Sequence, residues 1–330
     1  MGVNIYDSNY KDQNAVTLES NLIKTQFMPE IGSKMCSFIY KPEDVELLIQ
    51  RENEKYKLEP YDGNYINGEC SGFDEMFPSI SECYYESYPW KGIKIPDHGE
   101  LWSIPWEHEI GDSKLVMEAY GVRFSYKIKK SVYFIDENIL RIDYELKNLS
   151  GFNFDFMWAA HPMFILEEGS EIILPKKVTK IVTTMSYSGR IGEYGDENTW
   201  PSFYSKKGKE EKLNIIRPKN VKDAEKYFIK DKIPEGWCAL RYSKSNIILA
   251  LSFPVNKVPY IAILPNEGGW DSLYNIFIEP CTSSFDRLDV AKLRGEYSSV
   301  GPKSKYIWHL NLTISKVKDF KTVNADGHLI

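Results

Sequence analysis

At 330 residues, with 42% hydrophobic and 14% aromatic side chains, the chain is long enough to bury a substantial core. A formal net charge of −6, with lysines interspersed among acids, excludes a basic nucleic-acid interface. The five cysteines form no CxxC pair, the N-terminus has no apolar leader core, and no apolar run reaches membrane-helix length, so free thiols in the cytoplasm and no membrane partner are expected.

In chain order, the first distinctive segments are Gly72-Phe73-Asp74-Glu75-Met76-Phe77-Pro78-Ser79-Ile80 and Asp97-His98-Gly99-Glu100-Leu101-Trp102-Ser103-Ile104-Pro105-Trp106. Strands are predicted over 124–128 and 132–134, with a turn at 136–138. In the following run, 140–147, every even residue is apolar and every odd one charged, the mark of a half-buried antiparallel strand. Trp158 to Phe164 is an apolar strand-like run that delivers His161 and stops at Pro162. Residues 171–174 and 247–251 read as strands buried on both faces. The charged stretch 206–212 reads as a solvated loop, and 221–229 and 285–293 as short helices. Phe277-Ile278-Glu279-Pro280-Cys281 delivers a carboxylate and stops at a proline in the same way. Alternation over 308–314 supplies a closing strand, and His328 falls in a frayed tail. Many strands without helical crossovers, and no linker, imply an all-β chain: one large antiparallel β-sandwich domain spanning 1–330.

His161 and Glu279 are the candidate catalytic pair. An imidazole near neutral pKa and a carboxylate make a general acid and base that work at neutral pH. A lone strand-end histidine is more often structural, and a carboxylate beside a turn proline is more often a surface group; it is the pairing that favours function. His98 sits in a plausible plain turn, and His309 reads as a solvent histidine on a polar strand face. No HxH, HExxH or Cys/His cluster has ligand spacing, and no Gly-rich phosphate loop is present, so neither a metal nor a cofactor is expected. Trp102, Trp106 and Trp158 lie in or beside these segments, where one or two are candidates to wall a ligand pocket.

Taken together, His-Gly followed by Trp, then His-Pro-x-Phe at 161–164, then Glu-Pro at 279–280, with the 72–80 loop upstream, resembles the aldose 1-epimerase (galactose mutarotase-like) family. The resemblance runs from about Gly32 to the last strand. It implies a galactose mutarotase-like supersandwich, a small-molecule sugar partner and no cofactor. It also implies Glu279 as base, His161 as acid, and His98 and Asp74 as substrate contacts. Two positions depart from the family pattern. Asp74-Glu75 stands where many members have Asn-Arg, and Lys226-Tyr227-Phe228 stands about where they have a substrate-binding aspartate. Two alternatives remain open: a hexose-phosphate mutarotase of the same fold, with Lys226 and Arg123 as phosphate candidates, and a non-catalytic carbohydrate-binding protein.

Overall fold

The computed structural model describes residues 2–51, 55–205 and 208–330. The alternation in 140–147 is realised as the strand Ile139–Asn148. Leu140, Ile142, Tyr144 and Leu146 are buried, while Arg141, Asp143 and Glu145 face partly outward. The two strands expected at 124–128 and 132–134 are one element, Tyr126–Asp136, hairpinned to Ile139–Asn148. Lys305–Ser315 closes on the other side, and these three form the middle of an eight-stranded sheet.

The larger sheet has twelve strands. Its middle runs in spatial order Lys34–Tyr40, Phe73–Met76, Ala159–Ile165, Tyr274–Cys281, Tyr260–Glu267, Asp223–Ile229 and Lys180–Ser186. Every pairing in both sheets is antiparallel. One hydrophobic cluster fills the space between the sheets. In it, the Tyr144 and Trp308 rings of the smaller sheet stack 5.1 Å apart and pack on Trp158 of the larger. The all-β sandwich expected from the alternation is the observed architecture.

Several local expectations are corrected. Residues 221–229 are not helical: a 3-10 turn at Lys219–Val221 leads into the strand Asp223–Ile229, buried along its whole length between two neighbouring strands. Pairing on both edges overrides a weak local period. The helix expected at 285–293 exists as Leu288–Arg294, ended by Gly295 in the left-handed region. Glu171–Ile173 is an edge strand with only Ile172 buried, whereas Ile248–Ser252 is buried on both faces. Of the charged stretch 206–212, residues 206–207 lie outside the described residues. Glu210–Lys212 pairs with Ser202–Tyr204 as a small hairpin instead of a loop.

The C-terminal tail is not frayed. Residues 317–330 fold back on the outer face of the eight-stranded sheet, where Val323, Phe320 and Leu329 pack on Trp237, Ala239, Ile248 and Ala250. Thr313 Oγ1 donates to the Gly327 carbonyl at 2.7 Å, and Asn311 Nδ2 to the Ala325 carbonyl at 3.0 Å. His309 is consequently half-buried and not a solvent histidine; burial, with Arg141 nearby, lowers its pKa.

Candidate functional site

The two strands that carry His161 and Glu279 do not stop at their prolines; both run through them. Pro162 lies inside Ala159–Ile165 and Pro280 inside Tyr274–Cys281. The reason is visible in the register. These strands pair at Ala159–Cys281 and again at Met163–Phe277, with the ladder interrupted between. A proline is tolerated where no ladder bond is required of it. The constant register on either side of the gap sets His161 directly across from Glu279.

The same row continues through the sheet. His161 is paired with Asp74 on its other neighbour, and Asp74 is reached by Lys34 from the next strand, Nζ to Oδ2 2.5 Å. Lys34, Asp74, His161 and Glu279 therefore share one face across four adjacent strands. Glu75, one residue on, points to the opposite face. There it meets Lys130 at 2.9 Å and accepts from Tyr144 Oη and Trp158 Nε1 in the inter-sheet core. Trp158 and Trp106 are core residues and do not wall a sugar pocket, since Trp106 Nε1 is satisfied by the Leu101 carbonyl.

His98 arrives on a turn. Its φ is 57°, and Gly99 follows at φ 76°, where a Cβ would lie 2.0 Å from the Phe77 carbonyl oxygen. Only glycine fits there, which gives the His-Gly pair its physical reason. The His98 amide donates to the Ile80 carbonyl at 2.5 Å, and its Nδ1 pairs with Asp97 Oδ1 at 2.9 Å. The His98 and His161 rings meet at 5.3 Å.

Tyr65, from the short 3-10 segment Tyr65–Asn67, covers this face. It stacks on His98 at 4.2 Å and sets its edge against His161 and Trp102. It also donates from Oη to Asp74 Oδ2 at 2.9 Å. Trp102 Nε1 is bound to the Asp97 carbonyl, so it belongs to the same cover. The pair is covered: His161 keeps 4% of its surface exposed and Glu279 none. A groove of about 550 Å³ exists on the outer face of the smaller sheet, but it contains none of these residues.

Two buried lysines flank the row, each between two carboxylates. Lys34 lies 2.6 Å from Glu69 as well as beside Asp74. Lys226 lies 3.0 Å from Glu279 Oε2 and 2.7 Å from Asp286 Oδ1. Burial works against both lysines, yet their carboxylate partners hold their pKa values above the ordinary one. Burial pushes Glu279 above the usual carboxylate range, with Lys226 pulling the other way. Asp74 is likewise raised by burial against the pull of Lys34. Burial depresses His161 well below an ordinary imidazole, and His98, Lys226 and Lys34 add to that. Three buried atoms in the row have no hydrogen-bond partner among the described residues: His161 Nδ1, Glu279 Oε1 and Asp74 Oδ1. Such atoms are costly unless something else meets them.

Solved structures provide the comparison. The Slr1438 protein from Synechocystis sp. PCC 6803 superposes with TM-score 0.70 at 15% identity, over 94% of this chain and 100% of that one. A galactose mutarotase-like protein from Clostridium acetobutylicum gives TM-score 0.65 at 13% identity, over 96% and 99%. The chain has the galactose mutarotase-like fold. The GalM/aldose epimerase homologue from C. elegans shares it too, at TM-score 0.58 and 12% identity, over 96% and 100%. No family model matches the sequence, and no curated protein matches it either. At such identities the likeness is one of fold.

Within that fold, the structure brings together all four residues singled out from sequence: His161, Glu279, His98 and Asp74. Lys34, Tyr65 and Asp286 went unnoticed. Lys226 stands in the sequence as a departure from the family pattern and a phosphate candidate, and the helical reading of 221–229 conceals that it faces Glu279. Among the described residues, no three His, Cys, Asp or Glu side chains cluster as metal ligands, and no helix is long and apolar enough to cross a membrane. All five cysteines are buried and unpaired.

Proposed function

We propose that this protein is an aldose 1-epimerase, interconverting the α and β anomers of a free sugar by acid/base ring opening and closure. The observation that carries the reading is the interrupted ladder. His161 and Glu279 face each other across it, each with one buried polar atom left without a protein partner. In the proposed reaction Glu279 Oε1 removes the proton of the anomeric hydroxyl while His161 protonates the ring oxygen. The C1–C2 bond then rotates and the ring closes on the other carbonyl face. His98 and the free Oδ1 of Asp74 would meet sugar hydroxyls. Tyr65 occupies the face over Asp74 and His161, so a sugar ring enters only when the 65–67 segment moves aside.

The pairing of the cations favours an uncharged sugar. Lys34 and Lys226 each already serve two carboxylates, and Arg123 is taken up by Asp62 at 2.7 Å. A phosphorylated hexose would need a cation with capacity to spare. The second reading, a sugar-binding protein without turnover, is favoured by the low proton affinity of buried His161.

Polarimetric anomerisation of glucose and galactose, corrected for the spontaneous rate, tests the proposal. Glu279→Gln is nearly isosteric but cannot accept the proton. It is expected to retain sugar binding and to lose turnover by about a hundred- to ten-thousand-fold. A wild type no faster than the spontaneous reaction on either sugar would replace catalysis with binding. Unchanged turnover in Glu279→Gln would remove Glu279 as the base.

A further inference from the structure

Glu279 is 0% exposed and has one oxygen engaged and one free. The engaged oxygen, Oε2, accepts from Lys226 Nζ at 3.0 Å. Lys226 is itself 7% exposed and is held from the far side by Asp286 at 2.7 Å. Asp286 is fixed in turn through its backbone: its carbonyl accepts from the amides of Ile80 and Ser81, at 3.1 and 2.7 Å. Ile80 is also the residue whose carbonyl holds the His98 amide. One chain of contacts thus ties the carboxylate, the lysine, the aspartate and the His98 turn together.

We propose that Lys226, anchored by Asp286, is the positioning residue of this site: it caps Oε2 of Glu279 and presents Oε1, the carboxylate's other oxygen, to the substrate. The proposal rests on the aldose 1-epimerase reading and adds to it the residue that orients the base. A carboxylate buried on a β-strand can rotate about its last torsion and offer either oxygen. A cation bound to one oxygen removes that freedom and favours the ionised form. The other charged or titratable groups facing Glu279 are His161 across the interrupted ladder, His98 from the 96–100 turn, Asp286 after the strand, and Cys281 on the strand itself. Among the described residues none of these is hydrogen-bonded to the carboxylate oxygens, whereas Lys226 is.

The arrangement gives two variants opposite signatures. Lys226→Met removes a positive charge from both Glu279 and His161, so both groups should hold their protons to higher pH. The acid limb of the kcat profile should then move up by about one to three pH units, and the alkaline limb should follow it. KM should change less than about threefold, because Lys226 is expected to act through Glu279 and not on the sugar. Lys226→Arg should restore most of the wild-type profile. Asp286→Asn removes a negative charge near Glu279 and frees Lys226 to serve it alone, so the acid limb should move down. A purely structural role would lower kcat without this opposition of sign.

A second measurement does not depend on catalysis. In protein labelled with carboxyl-13C glutamate, the Glu279 resonance is identified by its loss in Glu279→Gln, and its titration is followed in wild type, Lys226→Met and Asp286→Asn. Titration to higher pH in Lys226→Met and to lower pH in Asp286→Asn is expected. If Lys226→Met does not fold, Asp286→Asn and Lys226→Arg carry the test by the same readout. Identical titration in wild type and the folded variants would overturn the proposal whatever the turnover. Shifted titration in a protein that turns over no free aldose would uphold the role of Lys226 and sink the epimerase reading instead.

Discussion

Asp74 and Glu75 are neighbours with opposite environments, because successive strand residues face opposite sides of the sheet. Glu75 forms a wholly buried ion pair with Lys130, tied further to Tyr144, Trp158 and, through Lys130, the Ser33 carbonyl. Removing one partner leaves an uncompensated buried charge. Glu75→Leu and Lys130→Met are each expected to cost about 3–5 kcal/mol in urea denaturation, while the two together should cost far less than the sum. Additive losses would mean that the pair is not coupled. The second residue-scale prediction concerns pH. If His161 must be protonated to donate, activity is lost as pH rises through a value below the ordinary 6.5. If Glu279 must be ionised, activity is lost as pH falls through a value above the ordinary 4.5. The two limbs therefore approach each other, and the bell is narrower than an exposed Glu and His pair would give. A polarimetric rate that instead holds a plateau from about pH 7 to 9 would remove imidazolium donation by His161.

At the scale of elements, the 140–147 alternation translates directly into a buried and a water-facing pleat face, whereas the half-exposed strand Leu115–Tyr120 went unread. The 308–314 run is a strand as expected, but the tail over Asn311 and Thr313 buries its second face too. Asp223–Ile229 was not legible, because every residue in it is buried and no period-two pattern survives in Asp-Ala-Glu-Lys-Tyr-Phe-Ile. The buried charge of Asp223 is met by nearby Arg217, but those of Glu225 and Lys226 are met by Arg190 and Glu279, partners distant in sequence that no local window contains. The site was half legible for the same reason. His161, Glu279 and His98 announce themselves by Pro and Gly neighbours, whereas Lys34 and Tyr65 matter only through contacts made across strands and loops. The C-terminal tail carries a prediction of its own. It covers Trp237, Ala239, Ile248 and Ala250, which would otherwise form an apolar patch on the outer face. Deleting residues 317–330 is expected to cost roughly 2–5 kcal/mol, from the lost burial of Val323, Phe320 and Leu329, and to promote self-association. Denaturation together with light scattering checks both; a monomer of unchanged stability would show the tail to be dispensable.

At the scale of the molecule, chain order and spatial order are thoroughly mixed. The larger sheet sets residues 73–76 beside 159–165, and 159–165 beside 274–281. The smaller sheet sets 305–315 between 139–148 and 248–252. No single cut in the chain leaves two pieces with complete sheets, and one hydrophobic cluster runs from Val16 to Ile314 through both layers. Such a topology favours one cooperative unit, despite a length at which two domains are common. Calorimetry is expected to show a single transition whose van't Hoff and calorimetric enthalpies agree. The proposed site samples the same long-range order, since Asp74, His161 and Glu279 come from distant parts of the chain and meet only when the middle of the large sheet is assembled. A sugar that binds there should therefore raise the whole transition and not one part of it. At a hundred times its Kd the gain should be about 2.7 kcal/mol. Two resolved transitions, or a sugar that shifts only one of them, would divide the chain into separately folding units and place the site in one of them.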